Sequence, residues 1–150
     1  RVKEMDGIVS AAVKAGAKIA HGGAPSASFN KGFFFEPTVL TDCTDDMKAM
    51  AEENFGPIAA ITRFSTDDEA SARANSTDMG LSAYAFTSSP VRARRTVAEL
   101  KAGMVGINSF AMAASEAPFG GTNFSGMGRE GGVEGIRDYL DVKSSQMVWA

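Results

Sequence analysis

Two stretches of the chain combine residue types that do chemistry with backbone that lets a ligand come close. The first is Ala51-Glu52-Glu53-Asn54-Phe55-Gly56-Pro57. It sets the Glu53 carboxylate and the Phe55 ring two residues apart, where a helical pattern gives way to a strand pattern. Two carboxylate oxygens accept hydrogen bonds from a vicinal diol such as a ribose, and ligands of α/β sheets sit in crevices at such edges. A solvated acid at a helix end is the plainer reading of Glu53, and the residue types leave both open. The second stretch is Ala117-Pro118-Phe119-Gly120-Gly121, then Ser125-Gly126-Met127-Gly128-Arg129-Glu130-Gly131. Seven glycines fall between positions 120 and 135. Such backbone reaches positive φ and approaches ligands closely. Phe119 is either a wall of that loop or a core residue. The rest of the chain is expected to hold these two segments face to face.

Other candidates read more plainly. Gly126-x-Gly128-x-x-Gly131 matches the dinucleotide fingerprint by letter. The fingerprint needs a strand before it and a helix after it, and residues 119–125 read as loop, so it is a decoy. Cys43 lies in Thr41-Asp42-Cys43-Thr44-Asp45-Asp46. A catalytic thiolate wants a positive neighbour or a base, and three aspartates oppose ionisation, so the thiol reads as inert. His21, beside Gly22-Gly23, reads as a turn residue. One His and one Cys are too few for structural zinc.

At 150 residues, 44% hydrophobic and 22% charged, the composition is that of a globular α/β-sized domain. The net charge of -3 and a longest basic run of Arg94-Arg95 argue against nucleic acid. No apolar run approaches the roughly 20 residues that span a bilayer. A lone cysteine favours a reducing, cytoplasmic setting. Arg1-Val2-Lys3-Glu4 enters a helix at once, with no signal-like start, as if cut from within a larger chain.

Periodicity then places the elements. Residues 2–16 have helical spacing with Gly16 as cap, and 17–20 read as a strand. Residues 33–40 read as an edge strand broken by Pro37, with Phe33, Phe34 and Phe35 as core. A helix over 45–53, a strand over 58–64 and a capping box at Thr66 and Glu69 follow. A strand over 81–87, a helix from Ser89-Pro90 to 101 stopped by Gly103, and a strand over 104–108 complete the rhythm. Alternation of strand and helix predicts a mostly parallel sheet covered by helices. A helix over 133–140 and a terminal strand over 142–149 close the chain, that strand a pairing edge with Met147 and Trp149. The domain reading is residues 1–140 as an α/β portion and 141–150 as the terminal strand.

Five segments in order and register resemble the NAD(P)-dependent aldehyde dehydrogenases. They are Gly32-Phe33-Phe34-Phe35-Glu36-Pro37-Thr38-Val39; Glu52-Glu53-x-Phe55-Gly56-Pro57; Asn75-x4-Gly80-Leu81-Ser82-Ala83; Gly103-Met104-Val105-x-Ile107-Asn108; and Pro118-Phe119-Gly120-Gly121-x3-Ser125-Gly126-x-Gly128-Arg129-Glu130. The likeness covers nearly the whole chain and is weakest before Gly16. Its tail is most similar to bacterial succinate-semialdehyde dehydrogenases. The resemblance implies the C-terminal portion of the catalytic domain, with an oligomerisation strand at the end. It implies that Glu53 holds the nicotinamide ribose of NAD or NADP, that Phe55 packs beside it, and that Phe119 walls the aldehyde pocket. The loop 108–117, with Ala113 and Ser115, becomes the substrate-facing segment. The nucleophilic cysteine, the general-base glutamate and the oxyanion-hole asparagine lie upstream, and Cys43 aligns with none of them. The implied chemistry is thiolate attack on an aldehyde, hydride transfer to nicotinamide and thioester hydrolysis, none of which this chain performs alone.

Two positions depart from the pattern. Ser115 is displaced from where succinate-semialdehyde enzymes place a carboxylate-binding serine, and Glu4 stands near an adenosine lysine position. The expected partners are a small aldehyde, the missing N-terminal part and further copies of the chain. The rival expectations are a catalytically inactive α/β binding or subunit-interaction module, and a hydrolase using Cys43.

Overall fold

The computed structural model describes residues 1–29 and 31–149. The chain divides into two compact units, Arg1–Ala70 and Ser71–Ala150. The division falls inside one helix, and each unit is described by itself.

The first unit opens with α1 (Val2–Lys14), whose apolar face Met5, Ile8, Val9 and Ala12 is buried. Gly16 takes φ 108°. The Gly16 and Ala17 N–H groups return to the carbonyls of Val13 and Ala12, each at 3.0 Å. That is the glycine-ended cap expected from the sequence. A three-stranded sheet follows in the order β1 (Lys18–His21), β2 (Thr38–Thr41), β3 (Ile58–Ala60). The β1–β2 pair is antiparallel and the β2–β3 pair parallel. Short α2 (Lys48–Ala51) packs on α1. Leu40, Cys43, Met47 and Ala49 complete one buried cluster with the α1 face.

In the second unit β4 (Ser82–Ala85) and β5 (Met104–Ile107) pair in parallel across α4 (Pro90–Glu99). Ser89 caps α4 through Arg92 N–H at 3.3 Å, with Pro90 in the first turn. The helix in which the division falls is α3 (Asp67–Ala74). Glu69 N–H donates to Thr66 Oγ1, and Glu69 accepts from Ser65 N–H, one residue ahead of the box expected at Thr66. Asn75 ties the end of α3 to the end of α4: its Nδ2 donates to the Glu99 carbonyl and its Oδ1 accepts from Lys101 N–H. Asn108, at φ 56°, is bonded the same way on both sides to Thr87.

Five sequence expectations change. Phe33 and Phe34 are exposed, with Phe34 stacked on Phe29 at 4.3 Å, and only Phe35 packs against the core. Residues 34–36 pair instead with residues 24–26, Ser26 N–H donating to the Phe34 carbonyl at 3.2 Å and Glu36 N–H to the Ala24 carbonyl at 3.0 Å. The helix expected over 45–53 shrinks to α2. Residues 133–140 form turns ending in a 3-10 turn, Arg137–Tyr139, because Gly131 and Gly132 sit at φ 70° and 57° and Gly135 adds backbone freedom. Residues 142–149 carry no strand, and Val142, Met147, Val148 and Trp149 are exposed. The single parallel sheet becomes two small ones, with an antiparallel pair at β1–β2.

A surface ion pair fastens the outer strand of the first sheet. Lys18 Nζ lies 2.9 Å from Asp42 Oδ2. The hydrogen bond, then the charge attraction, raises the Lys18 pKa above the ordinary lysine value and lowers that of Asp42 below the ordinary carboxylate value. The Asp42 contribution is present above the ordinary carboxylate range and disappears as pH falls through its lowered pKa. The Lys18 contribution is present below the ordinary lysine range and disappears as pH rises through its raised pKa. Asp42→Asn is therefore expected to lower the melting temperature slightly at neutral pH and low salt, with the difference vanishing in strong acid or at high ionic strength. A gap that persists in both conditions would contradict this origin.

Candidate functional site

Unit one presents the Glu53–Phe55 segment. After α2 ends, Glu52 turns back to Lys48 at 3.3 Å, and Glu53 is exposed one residue on. Phe55 keeps 67% of its surface exposed, with the Arg1 guanidinium 5.6 Å from its ring centre. The segment is pinned downstream. A Cβ on Gly56 would meet Met5 Cγ at 3.0 Å, and the Pro57 carbonyl accepts from Thr38 N–H at 2.8 Å. The result is an exposed carboxylate and an exposed aromatic ring on a short turn anchored downstream. That arrangement suits two adjacent hydroxyls lying beside an apolar ring.

Unit two builds a pocket from the residues the sequence assigned to it and from two it did not. Ala113, Ala114, Ser115, Phe119, Glu130 and Gly131 line an open cavity of about 470 Å³. Phe119 and Glu130 face each other as a two-bond antiparallel bridge, both bonds at 2.7 Å. Gly132 N–H reaches the Ser115 carbonyl at 2.9 Å. A Cβ on Gly131 would lie 2.9 Å from the Ala117 carbonyl oxygen, so this position needs glycine. Arg129 spends its Nη1 on the carbonyls of Gly121 and Gly128, and its N–H on Asp138 Oδ2 at 2.9 Å. Ala114 lies in the loop 108–117 expected to face the substrate, while Glu130 and Gly131 were not placed in the pocket by the sequence. Glu130 and Gly131 carried a signal in the glycine-rich run, but which loop they close against is a matter of tertiary contact.

The loop is mounted on the sheet at Gly80. The Gly80 carbonyl accepts from Gly103 and Thr122 N–H groups, each at 2.9 Å, and Gly80 N–H donates to Ser125 Oγ at 2.9 Å. The Gly126-x-Gly128-x-x-Gly131 run follows a 3-10 turn, Asn123–Ser125, so the strand that the fingerprint needs does not precede it. Cys43 is 3% exposed, with Sγ 4.0 Å from the Thr41 carbonyl. That burial leaves the Cys43 hydrolase without an accessible nucleophile. His21 ends β1 and is exposed.

The family model described as aldehyde dehydrogenase family matches residues 1–145, a span that includes both segments. The chain belongs to the aldehyde dehydrogenase family. It is 45% identical to a 3-sulfolactaldehyde dehydrogenase of Pseudomonas putida over 142 residues, 95% of this chain and 29% of that protein. It is 44% identical to a probable NADP(+) succinate-semialdehyde dehydrogenase of Sinorhizobium fredii, covering 95% of this chain and 28% of that one. Betaine aldehyde dehydrogenase of Staphylococcus aureus, solved in complex with NAD+, superposes with a TM-score of 0.86 at 38% identity, over 93% of this chain and 28% of the other. The aldehyde dehydrogenase chain described here thus spans under a third of the length of these relatives.

Proposed function

We propose that this chain is the C-terminal portion of an NAD(P)-dependent aldehyde dehydrogenase, supplying nicotinamide-ribose and substrate-pocket residues but not the nucleophile. The observation that carries the reading is the outward Glu53–Phe55 pair on a segment held downstream by the bond from Thr38 N–H to the Pro57 carbonyl. Glu53 would accept hydrogen bonds from the two ribose hydroxyls, with Phe55 packing beside the sugar. The nicotinamide supplies the hydride acceptor when bound. Holding its ribose at two points converts a loose encounter into a fixed orientation. Ala113, Ser115 and Phe119 would wall the aldehyde, and oxidation would yield the carboxylic acid. Succinate semialdehyde is one candidate, supported by relatives named for it.

The missing bond-making group would come from a separate N-terminal part. Support for such a partner lies in the second unit, where Tyr84, Phe86 and Phe110 cluster with ring centres 5.0 and 5.2 Å apart, yet stay 41, 62 and 71% exposed. Parallel sheets are ordinarily covered on both faces, and exposed aromatic patches mark interfaces. Residues 141–150 would add a strand to a neighbouring copy, and the setting would be cytoplasmic. Among the described residues no helix is long and apolar enough to cross a membrane.

The same aromatic face favours a second reading, a subunit-interaction module without catalysis. Mixing the chain with an N-terminal aldehyde dehydrogenase part and following aldehyde-dependent NADH formation separates the two. Under the first reading activity appears only in the mixture, and Glu53→Ala then lowers it roughly tenfold through lost orientation. Association without activity would favour the module, and an unchanged rate for Glu53→Ala would remove the ribose role. Sequencing the DNA upstream of Arg1 for an in-frame cysteine nucleophile is a second check.

A further inference from the structure

We propose that Asn54 is a positioning residue, whose inward-turned amide sets the side of the chain from which Glu53 and Phe55 emerge. The inference rests on the ribose-holding reading of those two residues. It comes from how α2 stops. A helix leaves its last carbonyls without intrahelical donors. Here the Lys48 carbonyl is met by Glu52 N–H at 3.0 Å, after which Glu52 adopts extended angles, φ -118° and ψ 162°. The Ala49 carbonyl is next, and the Asn54 side chain takes it: Nδ2 donates at 2.6 Å.

That bond has a geometric consequence. Asn54 is drawn toward buried Ala49, while the residues on either side of it lie at the surface. The burial follows this pattern: Glu53 exposed, Asn54 half-buried, Phe55 exposed. Gly56 N–H then returns to the Asn54 carbonyl, and Ile58 N–H to the Gly56 carbonyl at 2.8 Å, two tight turns that carry the chain into β3. Asn54 therefore anchors the upstream end of a segment whose downstream end is held by Met5 and Thr38. Its Oδ1 is buried and meets no donor among the described residues. A residue retained for packing alone would do better without that acceptor, whereas the donor half of the amide accounts for its presence.

The test uses the 150-residue chain labelled with nitrogen-15. Asn54→Asp keeps the shape and removes the donor. Amide exchange at Gly56 and Ile58, whose N–H groups are bonded within the segment, is expected to accelerate at least about tenfold, and the Phe55 ring to lose its contact signals with Arg1, while the Leu40 amide keeps its protection. Asn54→Gln, which keeps the amide, is expected to restore part of the protection. Unchanged exchange in Asn54→Asp overturns the proposal. Should that carboxylate unfold the chain, Asn54→Ala, which also lacks the donor, supplies the comparison. Titration with nicotinamide riboside, read at the ribose protons, separates the two claims. Both Glu53→Gln and Asn54→Asp are expected to weaken the shifts. A loosened segment together with ribose shifts that are absent, or indifferent to Glu53→Gln, overturns the ribose reading and reduces Asn54 to a structural clamp.

Discussion

Leu40→Ala is expected to destabilise the first unit by about 2–5 kcal/mol, the range for emptying a fully buried leucine site. Leu40 is 0% exposed and sits at the middle of β2, opposite Ile19 on β1 and Ala60 on β3. Met5, Ile8, Val9 and Ala12 of α1 belong to the same buried cluster, and those neighbours are tied into a helix and a sheet. The hole therefore closes only in part. In a unit of this size each kcal/mol moves the melting temperature by roughly 4–8 °C. Leu40→Met, which keeps the volume, is expected to cost less than about 1.5 kcal/mol. The effect would extend to the candidate site, since Thr38 on the same strand anchors Pro57. Thermal unfolding followed by circular dichroism measures it. A Leu40→Ala melt within a degree or two of wild type would mean that this cluster is not what holds the unit together.

Gly103→Ala is expected to cost about 3 kcal/mol, the upper end of the overpacking range, and to dislodge the Phe119 wall. An added Cβ would lie 2.8 Å from the Gly120 carbonyl carbon and 2.9 Å from Gly121 Cα, and closer still to the Gly120 oxygen. Those are main-chain atoms, so no side chain can swing aside to relieve the contact. Gly103 N–H also shares the Gly80 carbonyl with Thr122 N–H. Moving the loop from Gly120 to Thr122 thus breaks the mount of the pocket. Slow amide exchange at Phe119 and Glu130, whose mutual bonds close the loop, is expected to be lost. Gly7→Ala is the control: nothing lies within 4 Å of its Cβ, and removing a mid-helix glycine should stabilise α1 by about 0.5–1 kcal/mol. Equal effects from the two substitutions would refute the steric argument.

The local devices were readable in the residues. Gly16 as a helix stop, Ser89-Pro90 as a helix start and the apolar stripe from Met5 to Ala12 each act within a few residues. What failed was burial wherever an element's partner is remote. Phe33 and Phe34 look like core by composition and are exposed. Residues 133–140 have helical spacing, yet glycines at positive φ just ahead hold them in turns. The terminal apolar residues suggested a strand, but a strand exists only where another chain segment supplies the hydrogen bonds.

By itself, then, the sequence determined the family, the helix boundaries set by caps and a carboxylate two residues from an aromatic ring. Only the tertiary structure decided that Cys43 is buried, that Glu130 and Gly131 close a pocket with Ala113, Ser115 and Phe119, and that Asn54 turns inward. The reason is range. Caps and periodicity act over three or four residues along the chain, whereas burial and pocket closure depend on which distant backbone fills the space beside each side chain.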